Sequence, residues 1–263
     1  MFVMEPFDFQ SGTLPLLVSI PHAGTRLTPE VEDGLSDAAR PQPDTDWHIP
    51  QLYDFVREMG ASILVGHYSR MVVDLNRPAD DTPLYASATT GLFPSTLFDG
   101  TPTFVAGKAP TPEQRNGYLQ HIWQPYHQKI QQELARLKAR YGYALLLNAH
   151  SIASHIPRLF DGKLPDLNIG TNGGESCSRE VEATIRACSE AQDQYSWVIN
   201  GRFKGGYITR AYGQPAHQQH AVQLELAQCN YMEEQAPFAW HAEKAAALQV
   251  QLKKLLENYL ACF

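Results

Sequence analysis

The stretch Tyr143-Ala-Leu-Leu-Leu-Asn-Ala-His150 is an apolar run that leads into a histidine. The run is nearly continuous, which is typical of a strand buried on both faces of a mainly parallel sheet. A histidine after such a strand lies at the carboxyl edge of the sheet, where open α/β folds have their sites. Five further apolar runs predict strands, at residues 14–20, 61–66, 71–75, 197–200 and 222–226.

Helical patterns separate these predicted strands. Residues 48–59 place apolar side chains on one stripe that ends at Gly60, and residues 114–140 form a similar stripe that ends at Gly142. Pro125 falls inside the second pattern and should kink the helix or divide it in two. Two more helices are predicted at residues 178–189 and 238–259. Because strands and helices alternate, the sequence predicts an α/β fold with a central, mostly parallel or mixed sheet flanked by helices.

The composition restricts both the domain organisation and the class of partner. The chain has 263 residues, a hydrophobic content of 43% and no segment typical of a linker, so we expect a single domain over residues 1–263. A net charge of −7 without a block of like charges argues against a nucleic-acid surface. No apolar run approaches the ~18 residues that a membrane span needs. An acidic chain that binds an acidic small molecule must do so through local arginines.

The amino-terminal segment and the cysteines favour a cytoplasmic protein. Residues 1–12 carry Glu5 and Asp8 and lack a basic region followed by an apolar one, so they do not resemble a signal peptide. The cysteines show no C-x-x-C spacing, and reduced, mostly buried thiols are the simplest interpretation. They are Cys177, Cys188, Cys229 and Cys262. The sequence gives no indication of the oligomeric state.

Two histidines follow predicted strands and are candidate metal ligands. One such histidine is more often structural, but His22 and His150 together favour a metal site. Zinc would take two neutral imidazole nitrogens and one carboxylate and leave a fourth position for water. The carboxylate could come from Asp44 or Asp46, which precede a predicted helix. The alternative is that either aspartate merely caps that helix.

Glu225 lies inside the apolar run 222–226, where a carboxylate costs free energy unless it has a partner or a function. Because side chains alternate along a strand, Gln223 and Glu225 share one face. One interpretation is a buried salt bridge with an arginine. We favour the other, a general base that takes a proton from a metal-activated water molecule.

Arginines are the candidates for binding a substrate carboxylate. Arg77 is the leading one, since its planar guanidinium suits bidentate contact with a carboxylate. It could instead be a structural arginine paired to Asp74 or Asp80. Two further candidates are Arg70 and Arg210.

Two loops flank these arginines in the sequence. The segment 78–112 follows Arg77 and contains six prolines but few periodic apolar residues. Loops this long inside a compact domain are usually functional, so we expect a wall or lid over the site, with short strands at most. The glycine-rich loop 200–207 permits close approach of backbone to a ligand but matches neither nucleotide-binding pattern. No G-x-S-x-G is present, which argues against a serine hydrolase.

Taken together, these segments resemble the N-formylglutamate amidohydrolase family, the N-formylglutamate deformylases of histidine degradation. The resemblance covers almost the whole chain and rests on a combination of short motifs, none of which is specific alone. They are Pro21-His22-Ala23-Gly24, Asp44-Thr-Asp-Trp47, Ser69-Arg70 through Asp74-Leu-Asn-Arg77, Ala149-His150-Ser151, Ser154-His155-Ile-Pro, Phe203-Lys-Gly-Gly206 with Ile208-Thr-Arg210, and Gln223-Leu-Glu225-Leu.

The resemblance implies a fold related to the zinc carboxypeptidases and the hydrolysis of N-formyl-L-glutamate to formate and L-glutamate. It implies a divalent metal, with zinc the first choice, and an acidic residue among its ligands. Of the two aspartates we favour Asp46. The other site residues that it implies are the metal ligands His22 and His150, the base Glu225, and a carboxylate clamp of Asn76 and Arg77.

Two residues depart from the family's pattern. The family usually has Asp-x-His-Ser where this chain has Asn148-Ala-His-Ser, which keeps an acceptor beside a ligand histidine but loses a charge. Such changes cost about 10–100-fold in metal affinity or activity. Tyr207 stands where close relatives have histidine, and it joins the substrate-binding candidates. Two alternatives remain, a metallohydrolase of another N-acyl amino acid or peptide and a non-catalytic binder of acidic ligands.

Overall fold

Seven strands form one mixed sheet at the centre of the computed structural model, which describes residues 5–84, 86 and 89–263. The strands are β1 Phe7–Gln10, β2 Leu16–Ile20, β3 Ser62–Gly66, β4 Ala144–Ile152, β5 Leu167–Gly170, β6 Trp197–Ile199 and β7 Gln219–Ala227. Their order is β1-β3-β2-β4-β7-β5-β6. The four neighbours β3, β2, β4 and β7 are parallel, whereas β1, β5 and β6 run the opposite way. The predicted α/β class with a mixed sheet is confirmed.

Helices pack on both faces of this sheet. They are α1 Pro29–Gly34, α2 Ile49–Leu52, α3 Phe55–Met59, α4 Pro112–Tyr118, α5 Gln124–Tyr141, α6 Arg179–Glu190, α7 Tyr207–Tyr212 and α8 Ala242–Leu260. Apolar side chains of α2, α3, α6 and α8 form one core cluster with Leu16, Val18 and Ile20. Those of α1, α4, α5 and α7 form another with Leu17. The alternation along β2 therefore divides its side chains between two cores, as expected for a strand buried on both faces.

The pairing of β4 with β7 places polar side chains beside one another. His150 is directly opposite Glu225, and Asn148 is directly opposite Gln223. Since side chains two residues apart share a face, all four lie on the same face of the sheet. The predicted strand 143–147 extends to Ile152, so His150 lies within the strand and not after it.

Residues 71–75, predicted as a strand, are buried but form turns. Their backbone bonds explain the difference, because Val72 N–H donates to the nearby Ser69 carbonyl and Asp74 N–H donates to the Leu92 carbonyl. No described strand pairs with this segment. The run is apolar because its side chains join the core around α4 and α5, which periodicity alone does not distinguish from a buried strand.

The predicted helices differ from the observed ones mainly at their ends. The helix expected at 48–59 is divided into α2 and α3, because tight turns at Tyr53 and Asp54 interrupt it. The last helix begins at Ala242, later than expected, where the His241 side chain accepts a hydrogen bond from Lys244 N. Elements that the sequence did not reveal are the short ones β1, β5, α1 and α7.

Pro125 leaves the long helix unbroken by widening one turn. Between α4 and α5 lies a π-helical turn, Leu119–Trp123, and the three segments follow one another without a gap. Gln124 N–H donates to the Leu119 carbonyl, five residues back. Pro125 has no N–H to donate, and its ring would collide with the carbonyl four residues earlier, so the wider turn relieves that contact. The expected kink or division is replaced by this π-helical turn.

Two further expectations concern the surroundings of the protein. No described helix is both long enough and apolar enough to cross a membrane. All four cysteines are free, but only Cys177 is buried. The expectation of mostly buried thiols is therefore wrong for Cys188, Cys229 and Cys262, which are half-buried.

Truncation of the central strand should destabilise the fold. Leu147→Ala removes a side chain that is 0% exposed in β4, which leaves a cavity in the core between the sheet and the helices α2, α3, α6 and α8. We expect the free energy of unfolding, measured with urea, to fall by about 2–5 kcal/mol. Val250→Ala, at a residue that is 57% exposed on α8, is the control and should change it by less than about 0.5 kcal/mol.

Candidate functional site

A cavity opens beside the ends of β2, β4 and β7, where the chemically active side chains of these strands meet. His22, His150 and Glu225 line it together with Gln223 and Asn76. Three arginines also line it, Arg70, Arg77 and Arg202. Its apolar wall is formed by Phe98, Ile152, Leu159 and Phe203.

His22, Asp46 and His150 form a buried cluster in which one ligand atom of each lies within 4.8 Å of the others. Asp46 Oδ2 is 3.0 Å from His150 Nδ1 and 3.9 Å from His22 Nδ1. The second oxygen, Asp46 Oδ1, is buried and has no hydrogen-bond partner in the described part of the chain. A cation held by the three residues would give this buried oxygen a partner. Two imidazoles and one carboxylate are a donor set that fits a divalent cation.

Asp44 and Asp46 have different roles in the structure. Asp44 accepts a hydrogen bond from Phe98 N through Oδ2, and burial raises the pKa of this carboxyl to about 6. Asp46 N–H donates to the His22 carbonyl, which holds its side chain beside both histidines. Neither aspartate caps α2, because His48 occupies the N-cap and no side chain bonds to that helix end. The capping interpretation is therefore wrong.

Asp74 orients one histidine of the cluster. Its Oδ1 lies 2.7 Å from His22 Nε2, and its Oδ2 accepts a hydrogen bond from Arg70 Nη2 at 2.7 Å. Burial opposes ionisation of Asp74, but His22 and Arg70 outweigh that effect and hold the pKa well below its usual range. Burial, together with the charge of Arg70, lowers the pKa of His22 to about 4, although Asp74 and Asp46 act in the opposite direction. The imidazole is therefore neutral near pH 7, the form that binds metals.

A cluster of buried amides orients the second histidine. Asn76 Nδ2 lies 3.1 Å from His150 Nε2, while Asn76 Oδ1 accepts from Ile208 N and from Asn148 Nδ2. Asn148 Oδ1 has no hydrogen-bond partner among the described residues. Asn148 therefore contacts Asn76, which in turn contacts His150. Asn148, which stands where the family resemblance leads us to expect aspartate, belongs to this amide cluster.

Glu225 is buried directly across from His150. Burial raises the pKa of this carboxyl to about 7, against the opposing attraction of His150. Gln223 Oε1 accepts from Gly206 N at 2.8 Å, which turns Gln223 Nε2 toward Glu225 Oε2 at 3.4 Å. Within the described ranges no arginine forms an ion pair with Glu225. The salt-bridge interpretation is therefore not supported.

Arg77 is held by neutral oxygens. Its Nε, Nη1 and Nη2 donate to Thr90 O, Asn76 O and Thr89 Oγ1, respectively. In the described residues Arg77 forms no ion pair with Asp74 or Asp80. Asp74 is instead bonded to Arg70 and His22. Since its contacts carry no formal charge, the guanidinium keeps its attraction for an anion in the cavity.

The segment that carries Asn76 and Arg77 is fixed to the long helix. His127 Nε2 bonds to the Leu75 carbonyl at 2.9 Å, and Trp123 Nε1 donates to the Arg77 carbonyl at 3.0 Å. Trp123 and His127 are stacked with ring centroids 3.9 Å apart. Trp123 is the last residue of the π-helical turn, so the wide turn at Pro125 also contributes to the placement of Arg77.

Two predicted substrate-binding residues lie outside the cavity. Arg210 lines a separate surface depression with Lys204, and its Nε donates to the Gly205 carbonyl. Tyr207 lies behind Asn76, where its ring packs near Trp123 and His127. The geometry gives no support to either as a substrate contact, because neither side chain lines the cavity.

Arg202 is a cavity residue that the sequence analysis missed. It lies in the glycine-rich loop that we expected to approach a ligand, whereas the arginine predicted there was Arg210, which follows the loop. The expected wall from 78–112 is present in part, since Thr89, Thr90 and Phe98 line the cavity. Its strand content is limited to isolated bridges in the residues described there, and residues 85, 87 and 88 lie outside them.

Comparisons with known proteins identify the family. A sequence model described as N-formylglutamate amidohydrolase matches residues 14–232. The chain belongs to this family. N-formylglutamate deformylase of Pseudomonas aeruginosa is 60% identical, with 98% of this chain and 97% of that protein covered. The enzyme of the same name from Pseudomonas putida is 59% identical, with 97% and 95% covered.

The fold is shared with a solved N-formylglutamate amidohydrolase from Ralstonia eutropha. The two chains superpose with a TM-score of 0.81, and the alignment covers 98% of this chain and 97% of the other. At 22% identity this likeness concerns the fold alone. The family resemblance drawn from the short motifs is confirmed by these comparisons.

The burial of Glu225 predicts a stability difference that depends on pH. The folded-state pKa of about 7 lies above the ordinary 4.5, so the wild type loses stability as pH rises from about 4.5 to 7. Glu225→Gln does not ionise. With chelator present, this variant should exceed the wild type in unfolding free energy by on the order of 3 kcal/mol at pH 8, where 1.36 kcal/mol corresponds to one pKa unit. Urea unfolding should show the difference disappear near pH 4.5; a gap independent of pH would contradict this cause.

Proposed function

We propose that the protein is a metal-dependent amide hydrolase that converts N-formyl-L-glutamate to formate and L-glutamate. The observation that carries the proposal is the His22–Asp46–His150 cluster, whose two histidines line one cavity with Glu225 and Arg77. The Pseudomonas deformylases, which match nearly the full chain, support the choice of substrate. The proposal includes a role in histidine degradation, which the family resemblance implies, and a cytoplasmic location.

His22, Asp46 and His150 would hold the cation, and their mixture of nitrogen and oxygen donors favours zinc. When bound, such an ion polarises the formyl oxygen and lowers the pKa of a water molecule. Asp74 prepares His22 for this role, because it holds the ring through Nε2 and leaves Nδ1 facing Asp46. Asn76 contacts the His150 ring at Nε2.

Glu225 is the proposed general base. Its pKa of about 7, raised by burial, lets the carboxylate take a proton from water near neutral pH and release it again. The same carboxyl then gives that proton to the leaving nitrogen, which departs as the amine of glutamate. Gln223 contributes by holding Glu225 Oε2 and by keeping its own amide fixed against Gly206 N.

Arg77 is the proposed anchor for a substrate carboxylate, with Asn76 beside it. The backbone carbonyls on either side of Asn76 are fixed by His127 and Trp123, so the guanidinium is positioned before substrate arrives. Arg70 has a different role, because its ion pair with Asp74 already uses its charge. It stabilises the carboxylate that orients His22.

Metal removal tests the proposal most directly. Hydrolysis of N-formyl-L-glutamate, followed as released glutamate, should be lost after chelation and restored by one added cation among zinc, manganese, cobalt and iron. Activity that survives complete metal removal would contradict the metal-dependent mechanism but not the substrate. A metal-replete protein inactive on this substrate but active on other N-formyl or N-acetyl amino acids would redirect the assignment.

Replacement of Glu225 should slow the chemical step and leave the binding of metal and substrate almost unchanged. Glu225→Gln keeps the shape of the side chain but cannot accept a proton, so kcat should fall by about 10²–10⁴-fold. Metal content, measured by elemental analysis, and the affinity for N-formyl-L-glutamate should change by less than about threefold. Full activity in this variant would show that Glu225 is not the base.

A further inference from the structure

The apolar wall of the cavity ends at an arginine. Leu159 and Phe98 belong to a small hydrophobic cluster with Ile152, and Phe203 packs against it. Arg202 Nε donates to the Leu159 carbonyl at 2.7 Å, and its guanidinium lies 5.3 Å from the centre of the Phe203 ring. Apolar side chains and a cation thus meet on the same side of the cavity.

Arg77 lies on a polar wall of the cavity. Its neighbours in the cavity are Thr89, Thr90 and Asn76, all polar, and Asn76 contacts the ligand histidine His150. A carboxylate at Arg77 therefore lies close to the catalytic groups. In N-formylglutamate this suits the α-carboxylate, which is attached to the carbon that bears the scissile nitrogen.

The substrate's second charge needs a second cation, because a buried carboxylate without a partner is costly. Arg70 also contacts the apolar wall, since its guanidinium lies 4.6 Å from the centre of the Phe98 ring, but its charge is already paired with Asp74. Arg210 lies outside the cavity. Of the arginines described around the cavity, Arg202 combines the right charge with an apolar approach that fits the two methylene groups of a glutamate side chain.

We propose that Arg202 binds the γ-carboxylate of the substrate and so makes the enzyme selective for an acidic side chain. The proposal rests on the proposed function and adds the residue that recognises the side chain of the substrate. Arg77 binds the part common to all N-formyl amino acids, and Arg202 distinguishes glutamate from its neutral analogues.

N-formyl-L-glutamine tests this assignment, since it differs from the substrate only by an uncharged γ-amide. The metal-loaded wild type should prefer N-formyl-L-glutamate by about 100-fold or more in kcat/KM. Arg202→Gln should lower kcat/KM for the glutamate compound by about 100-fold and that for the glutamine compound by less than threefold. Arg77→Gln should lower both by a similar factor.

Arg210→Gln is the matched control. It removes the same charge from a residue that borders the depression shared with Arg202 but does not line the cavity. It should keep the preference for N-formyl-L-glutamate. Thermal unfolding of each variant checks that the fold is retained, and Arg202→Lys should recover part of the preference because it restores charge without the planar fork.

Several results would overturn the assignment of Arg202. They are an equal loss on both substrates in Arg202→Gln, a wild type without preference, and a preference abolished by Arg77→Gln instead. Calorimetric binding of both compounds in the Glu225→Gln background needs no turnover. If the wild type hydrolyses neither compound, the proposed function fails, and the ratio of the two affinities with and without Arg202→Gln still decides the role of this residue.

Discussion

The parallel pairing of β4 with β7 is the constraint on which the site depends. Register alone places His150 against Glu225 and Asn148 against Gln223, so a candidate metal ligand and the candidate base are neighbours before any loop is considered. A shift of one residue would turn these side chains to the opposite face of the sheet, into an apolar core. The nine-residue length of both strands, buried throughout, opposes such a shift.

The turns between Ser69 and Arg77 are the second organising element. Asp74 and Asn76 in this segment orient the two histidines, whereas Arg77 faces the cavity. Their placement requires close approach from the other side as well, since a Cβ on Gly206 would lie 2.2 Å from Asn76 Nδ2. The segment that connects ligand orientation with substrate anchoring is thus fixed by contacts from α5, α7 and the glycine-rich loop.

Much of this arrangement can be predicted from the sequence, for identifiable physical reasons. Long apolar runs that end in histidine or enclose a glutamate are unusual, and they located His22, His150 and Glu225. Residues 71–75 form turns and not the predicted strand, because hydrophobicity reports burial and not backbone pairing. The sequence did not indicate that Arg202 lines the cavity and Arg210 does not, because a loop pattern does not specify which side chain faces inward. The choice of Asp46 over Asp44 agrees with its contacts, which depend on a backbone bond to His22 that the sequence does not show.

Because of the π-helical turn, the number of residues between α4 and α5 determines how the two helices are oriented around their common axis. Each residue of an α-helix advances the side-chain direction by about 100°. Loss of one residue between Leu119 and Trp123 would restore regular helical bonding locally, but it would rotate α4 relative to α5. Trp123 and His127 could then keep their bonds to the segment of Arg77 only if α4 gave up its own packing. Substitution of the outward-facing residues of this turn leaves these contacts in place, whereas a single insertion or deletion there would make the packing of α4 incompatible with the bonds to the segment of Arg77.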